Sequence, residues 1–512
     1  MQNRVLFGQS YYLRFDAKLW AEQQPYPPLG TLYAAAHLRA FGFEVGLFDA
    51  MLASSEQAWA ETIDRVRPRF AILYEDNFNY LTKMCLLRMR EAAFTMLGMA
   101  KARGCTTLVC SSDASDHPEA YLQAGADYVL LGEGEATLAE LMTSLRDGGP
   151  LTPPDIQSLA FFDETGRLVQ SPRRKVLKDL DALPLPAWDL VDIEQYRAVW
   201  QQHGRFALNM ATSRGCPYHC NWCAKPIWGQ RYHARSPEHV VEEIALLTRI
   251  ARPDYLWFMD DMFGVNPGWI ARFADALEAA SLKISFKCLN RADLLLRDGD
   301  IEALARAGCD IVWMGVESGS QKILDAMDKG TRVEEIIETA RRLKQHGIRS
   351  GFFLQFGYPG EEEADIRKTF DLVRRCRPDE IGASVTYPLP GTKFYDMVKA
   401  QLGTKQNWVD SDDLDMMYQG PFTTDFYRVL HRILHKEHRS QKAIDAWRRL
   451  LQSPQRPGRG HARHAAALLY HQTTLPFARL QLRRLARAPH KQSVEALQGA
   501  LTPEAAATPT PH

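Results

Sequence analysis

The segment Ala211-Thr-Ser-Arg-Gly-Cys216-Pro-Tyr-His-Cys220-Asn-Trp-Cys223 puts three thiols in one short loop, in the spacing C-x3-C-x2-C. The chain has only 9 cysteines in 512 residues, so scattered buried thiols do not explain the cluster. Three thiolates can hold three irons of a four-iron cluster and leave the fourth iron open to a substrate, much as a catalytic zinc keeps one position open. The competing reading is a structural zinc site, with His219 or a distant histidine completing four ligands. The residues ahead of Cys216 read as the end of a strand running into the loop.

An aromatic residue, Trp222, stands immediately before the third cysteine. With it the loop resembles the radical S-adenosylmethionine (radical SAM) enzymes, whose signature is C-x3-C-x-aromatic-C. The resemblance implies that Cys216, Cys220 and Cys223 ligate a 4Fe-4S cluster. It also implies that the open iron chelates the amino and carboxylate groups of S-adenosylmethionine (SAM), with Trp222 near the adenine. Taken alone, Trp222 is equally a packing side chain of the loop.

Outward from the loop, apolar runs alternate with helical stretches: 207–213, 255–259, 284–288, 311–315, 351–356 and 381–386. Ser236-Pro-Glu and Asn266-Pro supply helix starts between them. Six such units over residues 206–399 predict a partial (β/α)6 barrel, whose chemistry lies at the C-terminal strand ends. Polar residues gather there: Asp260-Asp261, Asn290-Arg291, Glu317-Ser318-Gly319, Gln355 and Pro359-Gly-Glu361. Paired Asp in a core needs partners, and helix capping before Pro267 is the plain alternative for them. Glu317 can accept from ribose hydroxyls or an ammonium, and Arg291 can pair with a carboxylate. Carried over from the family, Trp222, Asp260, Asp261, Arg291, Glu317 and Ser318 are the candidate SAM-binding residues.

Residues 1–145 repeat a strand–helix unit five times, with strands near Val5, Val45, Phe70, Thr107 and Tyr128. This predicts a doubly wound parallel sheet, an α/β fold that binds ligands at the carboxyl ends of its strands. No GxGxxG turn follows the first strand and no Walker A sequence is present. The resemblance offers cobalamin instead, since many radical SAM enzymes carry an N-terminal cobalamin-binding domain of this Rossmann-like architecture. Its candidate residues are Gln9, Ser10, Gly30, Ser111, Ser112, Gly132, Glu133 and Gly134, the glycines letting backbone approach a bulky ligand. A D-x-H-x-x-G segment, the source of a cobalt-ligating histidine in other cobalamin proteins, is absent. The loops at Gln9-Ser10 and Tyr74-Glu-Asp-Asn77 are left to face the lower side of cobalt.

Residues 146–205, rich in proline, read as a linker with Trp188 as an anchor, and 400–500 as a helical basic C-terminal region. From Tyr418 onward 15 Lys and Arg face 5 Asp and Glu, a net +10 in a chain of net charge zero. A balanced total gives no drive toward nucleic acid, whereas the basic tail suits an anionic partner. Thr474–Arg487 reads as a basic amphipathic helix, either a solvated face or a peripheral membrane contact. Residues 501–512 read as a disordered tail. The N-terminus reads as a strand rather than a signal peptide. The odd, scattered cysteines suit a reducing cytoplasm.

Together these readings predict a cobalamin-dependent radical SAM enzyme. The resemblance implies reductive cleavage of SAM to a 5′-deoxyadenosyl radical and methyl transfer to an unactivated carbon of a small or lipid-like molecule. A reductase, flavodoxin or ferredoxin would supply the electron. Rearrangement or cyclisation without methyl transfer uses the same motifs, and a zinc-bearing ligand-binding protein is the alternative from another class.

Overall fold

The computed structural model describes residues 3–149, 155–223, 227–405, 407–452 and 459–487. The tail at 501–512 and the end of the basic region beyond 487 lie outside the described residues, as does most of the proline run 151–154.

Five strands, β1 (Arg4–Gly8), β2 (Glu44–Phe48), β3 (Phe70–Tyr74), β4 (Thr106–Cys110) and β5 (Tyr128–Leu130), form a parallel sheet in the order β2-β1-β3-β4-β5. The β3 residues are buried on both faces, as expected where helices cover both sides. Two further strands, β6 (Leu159–Phe162) and β7 (Leu168–Gln170), add antiparallel to the β5 edge. They fall in the stretch read from sequence as linker. A short hairpin with an Asp163 turn is a weak strand signal beside so many prolines, but it covers an otherwise open sheet edge.

The second sheet is a curled half-barrel of six parallel strands. These are β8 (Ala207–Met210), β11 (Tyr255–Phe258), β12 (Phe286–Asn290), β13 (Cys309–Glu317), β14 (Arg349–Phe356) and β15 (Glu380–Val385), in the order β15-β14-β13-β12-β11-β8. Between β8 and β11 lies a small antiparallel pair, β9 (Ser213–Gly215) and β10 (Tyr232–Ala234). The convex face packs Met210, Phe258, Phe286, Cys288, Val312, Met314 and Phe352, all fully buried, against the surrounding helices. The concave face alternates with it and is half-exposed at Trp257, Lys287, Leu289, Trp313 and Gly315.

Helix starts follow local chemistry, with one shift. Ser236 Oγ accepts from the His239 amide and opens the helix Pro237–Ile250. Asn266-Pro267 does not open the next one: it begins at Trp269, after Gly268 in the left-handed region at φ +72°. Trp188 is buried and donates to Glu243 Oε1 at 3.0 Å. Two long helices, Thr424–Gln452 and Arg459–Leu485, pair at the C-terminal end.

Candidate functional site

The three cysteines sit in a loop fixed at both ends. Ahead of it, Asp260 Oδ1 accepts from Thr212 N (2.8 Å), Thr212 Oγ1 (3.0 Å) and Ser213 Oγ (2.6 Å). Burial pushes the Asp260 carboxyl up to about 6 against those bonds, which lower it. Its other oxygen is buried without a partner. The sequence reading gave Asp260 to SAM; the structure spends one of its oxygens on the strand that delivers Cys216. Gly215 has φ +78°, and a Cβ there would fall on the Arg231 carbonyl oxygen, so β9 and β10 meet only because this residue is glycine.

Inside the loop Asn221 is the anchor. Its amide donates to Met327 O (3.0 Å), its Nδ2 donates to Ala326 O (2.7 Å), and its Oδ1 accepts from Tyr358 OH (3.0 Å). Its carbonyl accepts from Phe394 N (3.0 Å). Cys216 and Cys220 are buried, Cys223 is half-buried, and His219 is exposed.

The loop is ringed by cations. Arg291 places its guanidinium 3.7 Å over the Tyr218 ring and Nη1 3.9 Å from Cys220 Sγ. Its other nitrogens donate to Asp293 (2.9 and 3.2 Å) and Thr331 (2.9 Å). Lys329 Nζ donates to Glu317 Oε1 at 2.8 Å, and the charges of Glu317 and the nearby Cys220 hold its ammonium above the usual lysine range although burial opposes them. Glu317 itself sits at φ +59°, where β13 breaks register with β14. Such a strained backbone at a strand end marks a site. Ser318 Oγ bonds Thr369 Oγ1 (3.2 Å) and accepts from Ser320 N (3.1 Å), so it shapes its turn. Trp222 packs against the patch of Ile323, Met327, Tyr358 and Phe394, yet its Nε1 is buried without a partner, as is Gln355 Oε1. Orphaned buried groups of this kind fit a bound polar molecule.

In the first sheet the order β2-β1-β3-β4-β5 reverses direction between β1 and β3, the place where such sheets bind ligands. Gln9, Ser10, Glu75, Asp76 and Asn77 lie there and are all buried. The Ser10 amide donates to both Glu75 oxygens (3.0 and 3.2 Å), and burial pushes Glu75 up to about 7. Asp76 Oδ1 accepts from the Gly30 amide at 3.0 Å, at the start of the helix Leu29–Ala40. Tyr11 OH, Asn77 Oδ1 and Thr82 Oγ1 are buried without partners, which fits a large amide-bearing cofactor at this edge.

Other residues read as cobalamin contacts have protein partners. Ser111 Oγ accepts from Ala114 N (2.8 Å) and starts a short helix; Ser112 Oγ donates to Lys83 O (2.6 Å). A Cβ on Gly134 would lie 2.6 Å from Cys110 Sγ and 2.9 Å from the Tyr74 ring, and one on Gly132 3.3 Å from Arg173 Nη1. The glycines thus admit neighbouring side chains. Glu133 departs furthest from its expected role: it is buried and paired with Arg214 Nη1 at 2.5 Å, while Glu135 takes Nη2 at 2.7 Å. Arg214 lies two residues before Cys216, so a fork of charge-assisted bonds ties the first sheet's edge to the cysteine loop. Lys83, from the first sheet's side, pairs likewise with Asp261, whose Oδ2 is buried and unpartnered. Sequence reasoning missed Arg214, Lys329 and Lys83. A charged Arg214 inside a strand end otherwise made of small, uncharged residues was the available signal.

Residues 210–373 match the family model described as Radical SAM superfamily. The chain is 28% identical over 285 residues to an uncharacterized methyltransferase of Pyrococcus horikoshii, covering 55% of this chain and 60% of that protein. It is 28% identical over 394 residues to the hopanoid C-3 methylase of Methylococcus capsulatus, covering 74% and 70%. Among solved structures, the cobalamin-dependent S-adenosylmethionine radical enzyme OxsB with aqua-cobalamin bound superposes with a TM-score of 0.69 at 18% identity, covering 94% of this chain and 72% of that one. That likeness shows a shared fold. The chain spans about three fifths of the length of the Pyrococcus relative.

Proposed function

We propose that this chain, whose residues 210–373 form a radical SAM domain, is a cobalamin-dependent radical SAM enzyme that methylates an unactivated carbon of a small molecule. One observation carries the reading: the ion pairs of Glu133 and Glu135 with buried Arg214, and the part-buried pair of Lys83 with Asp261, hold the carboxyl edge of the first sheet against the strand ends that bear the cysteine loop. Cys216, Cys220 and Cys223 would hold the cluster. Trp222, Asp261, Arg291, Glu317 and Gln355 surround the place for SAM, and Gln9, Ser10 and Asn77 the place for cobalamin. Bound there, the cluster and SAM would supply radical chemistry for hydrogen removal from a substrate carbon, and cobalamin would supply the methyl group.

The residues present do the rest. Arg291 and Lys329 set positive charge beside the loop, and Asn221 holds the loop's shape. An external flavodoxin, ferredoxin or reductase would deliver electrons in the cytoplasm, and the basic C-terminal helix would meet an anionic membrane surface. No helix among the described residues is long and apolar enough to cross a membrane. Purification without oxygen, cofactor reconstitution and metal analysis test the reading. Iron as a four-iron cluster together with cobalt is the expected result; zinc without iron contradicts it. Turnover with methyl-labelled SAM separates methylation from cyclisation by product mass.

A further inference from the structure

The concave face of the half-barrel carries side chains that the cluster and its cofactors do not use. In parallel strands, residues in register point to the same side. Lys287 is in register with Trp257 and Ile311, Trp313 with Leu289 and Gly351, and Phe353 with Gly315 and Gly382. Gly351 and Gly382 make room for the rings: a Cβ on the first would lie 2.5 Å from Trp313, and one on the second 3.3 Å from Phe353. The two rings stack at 4.5 Å with 30° between their planes. Phe353 is 39% exposed although it sits on β14, an inner strand next to the edge of a six-stranded sheet backed by helices. A large apolar ring left open inside a fold marks a binding surface.

Lys287 lies one layer deeper. Its Nζ stands 4.0 Å above the Trp257 ring and 5.5 Å from the Tyr26 ring, and among the described residues no carboxylate pairs with it. Two other cations lie at this end: Arg349 is taken by Asp310 and Glu380, with Asp310 also accepting from Tyr255 OH, and Arg205, exposed, stands over the Tyr255 ring. We propose that this concave face is the substrate site and selects a flat or apolar skeleton with an anionic end, Trp313 and Phe353 gripping the skeleton and Lys287 the anion. Lys287 and Trp313 are separated by one layer of the strand, roughly 7 Å, which suits an aryl carboxylate. From Lys287 to the level of Gln355 is six residues, about 20 Å, so the reacting carbon sits far from the anionic end. This assignment rests on the radical SAM reading for its chemistry but not for its binding preference.

The test uses the cofactor-loaded enzyme with 2-naphthoate and its neutral analogue 2-naphthamide, followed by calorimetry. Naphthoate is expected to bind at least ~10-fold more tightly, a difference that a half-buried ammonium without a carboxylate partner makes with an anion. Lys287→Met should erase the preference and Lys287→Arg restore most of it. Phe353→Ala should weaken both ligands alike. Burial lowers the Lys287 ammonium to about 8, with Glu380 and Glu22 opposing and Arg205 assisting, so the preference should fade as pH rises through about 8. Equal affinity for the two ligands, no saturable binding of either, or a preference that survives Lys287→Met overturns the proposal. Iron content and the cluster's absorbance are read on the same samples. A protein without iron that still prefers naphthoate sinks the radical SAM reading alone.

Discussion

Glu75 accepts the Ser10 amide with both oxygens at the end of β3, and burial pushes it up to about 7 from an ordinary 4.5. A raised acid binds more protons folded than unfolded, so its cost appears as pH climbs from about 4.5 to about 7 and is complete above that. Glu75→Gln is therefore expected to stabilise the cofactor-free protein at pH 8 by about 3 kcal/mol and to change little near pH 4.5, measured by urea unfolding. Burial raises Asp260 too, to about 6, but its Oδ1 holds three donors, from Thr212 and Ser213, that its removal would leave unsatisfied. Asp260→Ala should cost about 2–4 kcal/mol and lower the iron retained per chain. The cysteine trio was legible because its chemistry is local to eight residues. The tasks of Asp260 and Glu133 were not, because their partners lie 48 and 81 residues away. A carboxylate at a strand end looks the same in sequence whether it faces a ligand or a backbone amide.

At the scale of elements, β9 and β10 decide whether the cysteine loop is presented at all. Gly215→Ala forces a Cβ onto the Arg231 carbonyl at φ +78°. Loss of soluble, iron-binding protein is expected, with Gly98→Ala, on an open helix surface, as the control that keeps both. Arg214 ties that pair to the first sheet. Arg214→Met leaves the Glu133 and Glu135 carboxylates without their cation, at a cost of about 3–5 kcal/mol in unfolding free energy, read as a fall in the urea midpoint. The alternating strands and helices of both sheets were readable from periodicity, as was the Ser236 cap. The β6–β7 hairpin was not, because its short strands are stabilised by pairing with β5 rather than by their own pattern. The helix at Trp269 started late because Gly268, in the left-handed region, turns the chain after Pro267.

Over the whole molecule, ion pairs of Arg214 and Lys83 join the strand ends of the two sheets, and a helical pair packs beside the barrel. The helix Arg459–Leu485 buries Leu475 and His471 but leaves Leu469, Phe477 and Leu480 at 69%, 76% and 50% exposure, near Arg483, Arg484 and Arg487. This partly meets the expectation of a basic amphipathic helix: the apolar stripe turns outward. Sedimentation with vesicles rich in anionic lipid is expected and should be lost with Phe477→Ser and Leu480→Ser or at high salt; sedimentation indifferent to all three contradicts it. The account as a whole depends on one iron of the cluster being left open for SAM, and electron paramagnetic resonance of the reduced cluster with and without SAM measures this directly. SAM is expected to change the spectrum of the native protein, and replacing any of Cys216, Cys220 or Cys223 by alanine should abolish that change. A reduced cluster whose spectrum ignores SAM would contradict the account.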